Sequence, residues 1–334
     1  MRLNANAVPL VAEMVSRAAS LGITWQTSPC GTRIGDCGVK AAGGTEAGIL
    51  LARAALAGLG GVTVEEPGRH AAAFAALWPD CAWPVVAVET AMPLAACLAA
   101  QYAGWKVSAD GFFAMASGPL RAAIGREPLF DEIGMRETAA DAIGVLETGR
   151  IPPDAVCREL AAAAGVPPER LVLLVARTAS QAGTLQVVAR SLETALHKLH
   201  DLRFDLARIQ AGTGRAPLPP AGGTDDLAAI GRTNDAILYG GHVVLDVRGD
   251  DASLRDIGPR MVSAASADYG APFATLFDRA GRDFYALDPA LFAPAVVDLV
   301  NVETGRRHRF GSPAPALVRE SFASADAAAA RPGR

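Results

Sequence analysis

One fifteen-residue stretch does most to limit what this chain folds into: Gln186-Val-Val-Ala-Arg-Ser-Leu-Glu-Thr-Ala-Leu-His-Lys-Leu-His200. At 3.6 residues per turn, Leu185, Val188, Leu192, Ala195 and Leu199 form one apolar stripe, which predicts a helix packed on a core. Gln186, Arg190, Glu193, His197 and His200 form a second stripe roughly 150° away. A fixed cation, a carboxylate and two imidazoles therefore share one side of the predicted helix. Ahead of it, Leu171-Val-Leu-Leu-Val175 is an apolar run of strand type, and Ala176-Arg-Thr-Ala-Ser-Gln-Ala-Gly183 between them is small and hydroxyl-rich. Strand, small-residue loop and helix together make one wall of a site. Taken alone, Arg190 and Glu193 also fit an ordinary surface ion pair, worth about 0.2–0.5 kcal/mol.

The 334 residues exceed what one core usually organises, so two subdomains are expected. We place their boundary at the Gly165-Val-Pro-Pro turn, giving 1–165 and 166–334, with the chain free to cross more than once. The expected fold class is α+β, two such subdomains enclosing a substrate cleft. Hydrophobic residues at 51% and charged residues at 20% describe a globular chain. A net charge of -4 with no basic cluster argues against nucleic acid as a partner. No apolar run reaches the ~18 residues that span a bilayer, and no signal-peptide core is present, so a cytoplasmic protein is expected. Five cysteines without paired short spacings read as reduced thiols. His197 and His200 lack a third ligand nearby, so no metal is expected.

Residues 4–21 read as an opening amphipathic helix with Asn4 or Asn6 as its cap. Short strands follow at 23–25 and 33–37, helices at 46–57 and 93–102, and strands at 83–88 and 111–117. Gly212-Thr-Gly-Arg-Ala-Pro-Leu-Pro-Pro-Ala-Gly-Gly-Thr224 reads as a long loop of functional or mobile character. Ile237–Tyr239 and Val243–Val247 read as a β-pair around Gly240-Gly241. Phosphate-loop, dinucleotide and nucleophile-elbow motifs are missing.

Several blocks together resemble the methenyltetrahydromethanopterin cyclohydrolase family over roughly residues 4–323. They are Ile34-Gly-Asp-Cys-Gly-Val39, Gly44-Thr-Glu-Ala-Gly48, Ala96-Cys-Leu-Ala-Ala-Gln-Tyr-Ala-Gly-Trp105 and Ala114-Met-Ala-Ser-Gly-Pro119 with Arg121. Gln186-Val-Val-Ala-Arg190 with Glu193, Thr194-Ala-Leu-His-Lys-Leu199 and Ile230-Gly-Arg-Thr-Asn-Asp-Ala-Ile-Leu-Tyr-Gly240 continue the match. Ser266, Asp268-Tyr-Gly-Ala-Pro-Phe273, Phe284-Tyr285 and Asp288-Pro289 complete it. Arg177, and Met261-Val262 ahead of Ser263, depart from the family pattern without removing a catalytic group.

The resemblance implies reversible hydrolysis of 5,10-methenyltetrahydromethanopterin to its 5-formyl form in one-carbon metabolism. It implies no cofactor, the pterin being the substrate carrier, and a homo-oligomer, expected as a trimer. It places the catalytic Arg–Glu pair on Arg190 and Glu193, the two residues that the helical reading also singles out. Expected substrate contacts are Gln186, Gly183, Asn234, Asp235, Ser117, Arg121, Ser266 and Tyr269, with Arg121 meeting an anionic tail. Gly183 also fits a simple helix start, and Asn234 with Asp235 a turn. Two rival readings are a non-catalytic pterin carrier of the same fold and a cyclohydrolase acting on methenyltetrahydrofolate.

Overall fold

A computed structural model describes residues 2–102, 104–109, 111–283 and 286–329. Phe284 and Tyr285, in one of the family blocks, lie outside the described residues. The first strands are β1 Thr24–Thr27, β2 Arg33–Gly38, β3 Gly61–Glu65, β4 Val85–Thr90, β5 Trp105–Ala109 and β6 Phe112–Ser117. They are followed by β7 Ala142–Glu147, β8 Leu171–Ala176, β9 Ile209–Pro217, β10 His242–Val247, β11 Val296–Asn301 and β12 Arg307–Gly311. The helices that matter here are α1 Leu3–Ser16, α2 Thr45–Ala55, α3 Asp154–Ala164, α4 Gln181–Val188, α5 Ser191–Asp201, α6 Asp226–Leu238, α7 Phe273–Arg279 and α8 Pro315–Ala329. Mixed sheets and helices confirm the α+β class.

The chain divides into two interleaved units, 1–61 with 94–187 and 62–93 with 188–334. The Gly165-Val-Pro-Pro turn lies inside the first, linking α3 to β8.

The first unit is built on a mixed sheet of order β1-β2-β8-β7-β6-β5, with β2, β8 and β7 parallel. Alternation along β8 explains its continuous apolar run. Val172 and Leu174 join Leu10, Met14 and Leu51 of α1 and α2, while Leu171, Leu173 and Val175 join Val156 and Leu160 of α3. A strand covered on both faces has no side left for polar residues. Asn4 is not a cap but a buried residue inside α1. Its Nδ2 donates to the Pro119 carbonyl at 2.9 Å and its Oδ1 accepts from Ile143 N at 2.9 Å, fastening the helix to the sheet.

The second unit carries the sheet β12-β11-β10-β9-β4-β3. Two expectations change here. Gly212–Pro217 is no loop but the body of β9, paired with β4 on one side and β10 on the other. Its glycines are there for helix packing: a Cβ on Gly214 would sit 2.5 Å from Ser191 Oγ and 2.7 Å from Leu192 N, so α5 lies almost on the strand. Ile237–Tyr239 is likewise not a strand but the end of α6, Tyr239 being its cap, with a backbone N–H that donates to the Asp235 carbonyl.

Candidate active site

The long helix expected over 186–200 is two helices. α4 stops at Val188 and α5 starts at Ser191, with Arg190 at the joint (φ -88°, ψ 5°). Local periodicity ran unbroken through the joint, but the two helices serve different units, which part at 187/188. Tertiary packing overrides the local pattern there, helped by the stiff β-branched pair Val187-Val188. The apolar stripe survives intact, Leu185, Val188, Leu192, Ala195 and Leu199 all being fully buried.

The break sets Arg190 and Glu193 at the start of α5. The Arg190 carbonyl accepts both the backbone N–H of Thr194 at 2.8 Å and its hydroxyl at 2.9 Å, which pins the joint. Glu193 falls in the first helical turn, where the positive end of the helix dipole favours an ionised carboxylate by about 0.3–1 kcal/mol. Arg190 is 7% and Glu193 6% exposed, so neither is a solvated surface charge. Both residues interact with their surroundings, and one atom of each, Arg190 Nε and Glu193 Oε1, is enclosed without a hydrogen bond. A buried carboxylate in the first turn of a helix can hold and deprotonate a water molecule.

The other expected site residues divide between the units. Ser117, Arg121, Gly183 and Gln186 belong to the first. Gln186 and Ser117 are buried. Gly183 donates its N–H to Ser180 Oγ at 3.0 Å, and a Cβ there would collide with the Arg177 carbonyl, so chain packing alone demands this glycine. Arg121 is spent on its own core. Its Nη1 donates to the Leu98 carbonyl at 2.7 Å, Nε and Nη2 bind the Glu127 carboxylate, and Tyr102 and Phe130 flank the guanidinium at 4.8 and 5.3 Å.

Asn234, Asp235, Ser266 and Tyr269 belong to the second unit, with Arg190 and Glu193. Asn234 is mid-helix rather than in a turn, its Nδ2 donating to the Ile230 carbonyl at 2.8 Å. Asp235 is wholly buried and joins three helices, accepting from Phe273 N of α7 at 2.8 Å and Ser321 Oγ of α8 at 2.6 Å. Burial pushes its carboxyl up to about 7. Ser266 donates to Asp288 Oδ2 at 2.8 Å, which fixes the loop carrying Tyr269. The Tyr269 ring packs edge-on against Tyr239 at 5.2 Å and lines a cavity of about 380 Å³ with Asp268, Leu276 and Arg279.

Three contributors escaped the sequence reading. Asp36 accepts four consecutive backbone N–H groups, of Gly38, Val39, Lys40 and Ala41, at 2.7–3.1 Å, and so shapes the loop after β2. Lys198 of α5 reaches the Pro289 carbonyl at 3.0 Å, beside the Asp288 that holds Ser266. Arg232 is buried within α6. Only the first stood in a block whose Asp-x-Gly spacing signals a side-chain-capped turn. His197 lies 3.5 Å from Asp201, and no group of three potential metal ligands occurs among the described residues.

Comparison with known proteins bears on the chemistry of this site. The profile of the family described as Cyclohydrolase (MCH) matches residues 2–322. The methenyltetrahydromethanopterin cyclohydrolase of Methylobacterium sp. (strain 4-46) is 45% identical over 326 residues, covering 96% of this chain and 97% of its own. That of Methylobacillus flagellatus is 42% identical, covering 94% and 93%. That of Methanocella arvoryzae is 37% identical, covering 96% and 98%. The family profile and these relatives together define an enzyme of the cyclohydrolase class. The chain belongs to the methenyltetrahydromethanopterin cyclohydrolase family, as the sequence blocks indicated.

Proposed function

We propose that this chain hydrolyses 5,10-methenyltetrahydromethanopterin to 5-formyltetrahydromethanopterin, reversibly, with Glu193 as general base. The observation that carries the proposal is the burial of Arg190 and Glu193 at the start of α5, one at the cap and one in the first turn. The methenyl carbon lies between two nitrogens in an amidinium-like cation. Glu193 takes a proton from water as the water oxygen bonds to that carbon, giving a neutral carbinolamine. One C–N bond then breaks, its electron pair leaves with the nitrogen, and the proton on Glu193 follows. The carbinol hydroxyl releases its proton as the formyl C=O forms. Arg190 orients Glu193 for that proton transfer. The negative pair partner also favours the cationic substrate over the neutral product. Ser266 and Tyr269 contribute to the substrate surface in the same unit, and the reaction asks only for a base and a held water. One-carbon metabolism, where formyl and methenyl groups are exchanged on pterins, is the setting.

The test follows loss of methenyl absorbance with purified protein. Methenyltetrahydromethanopterin and methenyltetrahydrofolate are run side by side. Glu193→Gln retains the fold and loses roughly 10²–10⁴-fold in turnover, the contribution of a general base. Full activity in that variant would remove Glu193 from the mechanism, and tight binding without turnover by the unaltered chain would favour a carrier.

A further inference from the structure

Arg232 of α6 stands apart from the other buried cations. It is 7% exposed, yet among the described residues its side chain takes part in no hydrogen bond and no ion pair. Arg121 has Glu127, and Lys198 has the Pro289 carbonyl. The Arg232 Nε is enclosed with no acceptor, whereas Nη1 and Nη2 are not among the enclosed atoms and open onto accessible space. Burial pushes its guanidinium below the ordinary arginine range. The carboxylate whose charge acts on it, Asp225, is itself exposed and committed to Ala228 N at 3.0 Å, where it caps α6.

A solitary buried charge is costly, because water is lost and nothing replaces it. A guanidinium whose inner nitrogen is enclosed and whose two outer nitrogens are open presents a planar fork, the shape that carboxylate and phosphate match with two parallel hydrogen bonds. We propose that Arg232 is the binding residue for an anionic group, carboxylate or phosphate, on the tail of the substrate. This deepens the proposed activity and rests on it for the identity of the molecule that carries the anion.

The test has one kinetic and two non-kinetic arms. In Arg232→Gln, the preference for a methenyl-pterin with an anionic tail over a tail-less methenyl-pterin, read as the ratio of kcat/KM, falls about tenfold to a hundredfold, the value of a charge-assisted hydrogen-bonded pair. Inorganic phosphate raises Tm in the unaltered protein and ceases to do so in Arg232→Gln. Arg232→Met, which replaces the lone charge by apolar bulk, raises Tm in buffer by a few degrees. An unchanged kcat/KM ratio, with Arg232→Met lowering Tm, would overturn the proposal and make Arg232 a structural residue. A phosphate response equal in both proteins would reveal an adventitious ion only. If the unaltered protein turns over neither substrate, the proposed activity fails, and the phosphate and Tm arms still decide the anion site.

Discussion

Gly214 controls how high α5 rides over its sheet, and with it the position of Arg190 and Glu193, the two groups proposed to be catalytic. A Cβ at this position of β9 would lie 2.5 Å from Ser191 Oγ, 2.7 Å from Leu192 N and 3.1 Å from Leu192 Cα. The hydroxyl can rotate away, but the backbone atoms cannot. Ordinary heavy-atom contact begins near 3.5 Å, so Gly214→Ala lifts the first turn of α5 by roughly 0.8 Å or bows the strand beneath it. Overpacking of this kind costs about 1–3 kcal/mol of stability. The lift acts at Ser191 and Leu192, between Arg190 and Glu193. Displacement on the order of 1 Å in a reacting constellation costs up to about 10²-fold in rate. We expect Gly214→Ala to lose tenfold or more in kcat, with a native circular dichroism spectrum and a lowered Tm, assayed by methenyl absorbance and thermal melts. Gly212→Ala is the control. Its Cβ would meet the ends of the Leu192 and Leu245 side chains at 2.7 and 3.0 Å, which can repack, so it costs stability but little turnover. Full turnover in Gly214→Ala, or equal losses in the two variants, would refute the reasoning.

Two further predictions concern residues that the structure ties into helix packing and core. Burial raises the Asp235 carboxyl to about 7 in the folded chain, above its ordinary 3.8, so its contribution is complete below pH 4 and lost as pH rises through 7. Urea unfolding of the unaltered protein should therefore show stability falling between pH 4 and 7, by at most about 4 kcal/mol, and Asp235→Asn should flatten that slope; parallel curves would count against it. Arg121→Met should cost about 3–5 kcal/mol by stranding Glu127 and the Leu98 carbonyl, while leaving KM near its original value. A large rise in KM with stability intact would instead place Arg121 on the substrate.

What was legible in the sequence is what local pattern encodes. The apolar stripe from Leu185 to Leu199 is buried as its spacing requires, and the run Leu171–Val175 is the doubly covered β8. Arg190 and Glu193 emerged from helix geometry and family blocks alike. The helix break at Ala189–Arg190 did not emerge, because the β-branched pair Val187-Val188 is too weak a local signal to mark it; the division of labour between units does. Asp235 looked like a turn residue because its partners, Phe273 N and Ser321 Oγ, lie 38 and 86 residues away. Gly212-Thr-Gly214 looked like loop because glycines in a strand are informative only once the helix that needs them is in view. A mid-helix arginine such as Arg232 reads as surface until its burial is known.

The interleaved path of the chain has a kinetic side. β4 is flanked only by β3 and β9, and its register joins Val85 to Pro217. On a ribosome adding about 5–20 residues per second, β3 and β4 wait roughly 6–24 s for β9 to appear. A two-stranded ribbon is marginal in water, and this one offers Val85, Val86 and Val88 along an open edge during that wait. The segment 62–93 is thus the chain's window of exposure to self-association, both at birth and on dilution from denaturant. Recovery of active enzyme after unfolding is then a race between arrival of β9 and encounter with another copy, and its yield falls as protein concentration rises.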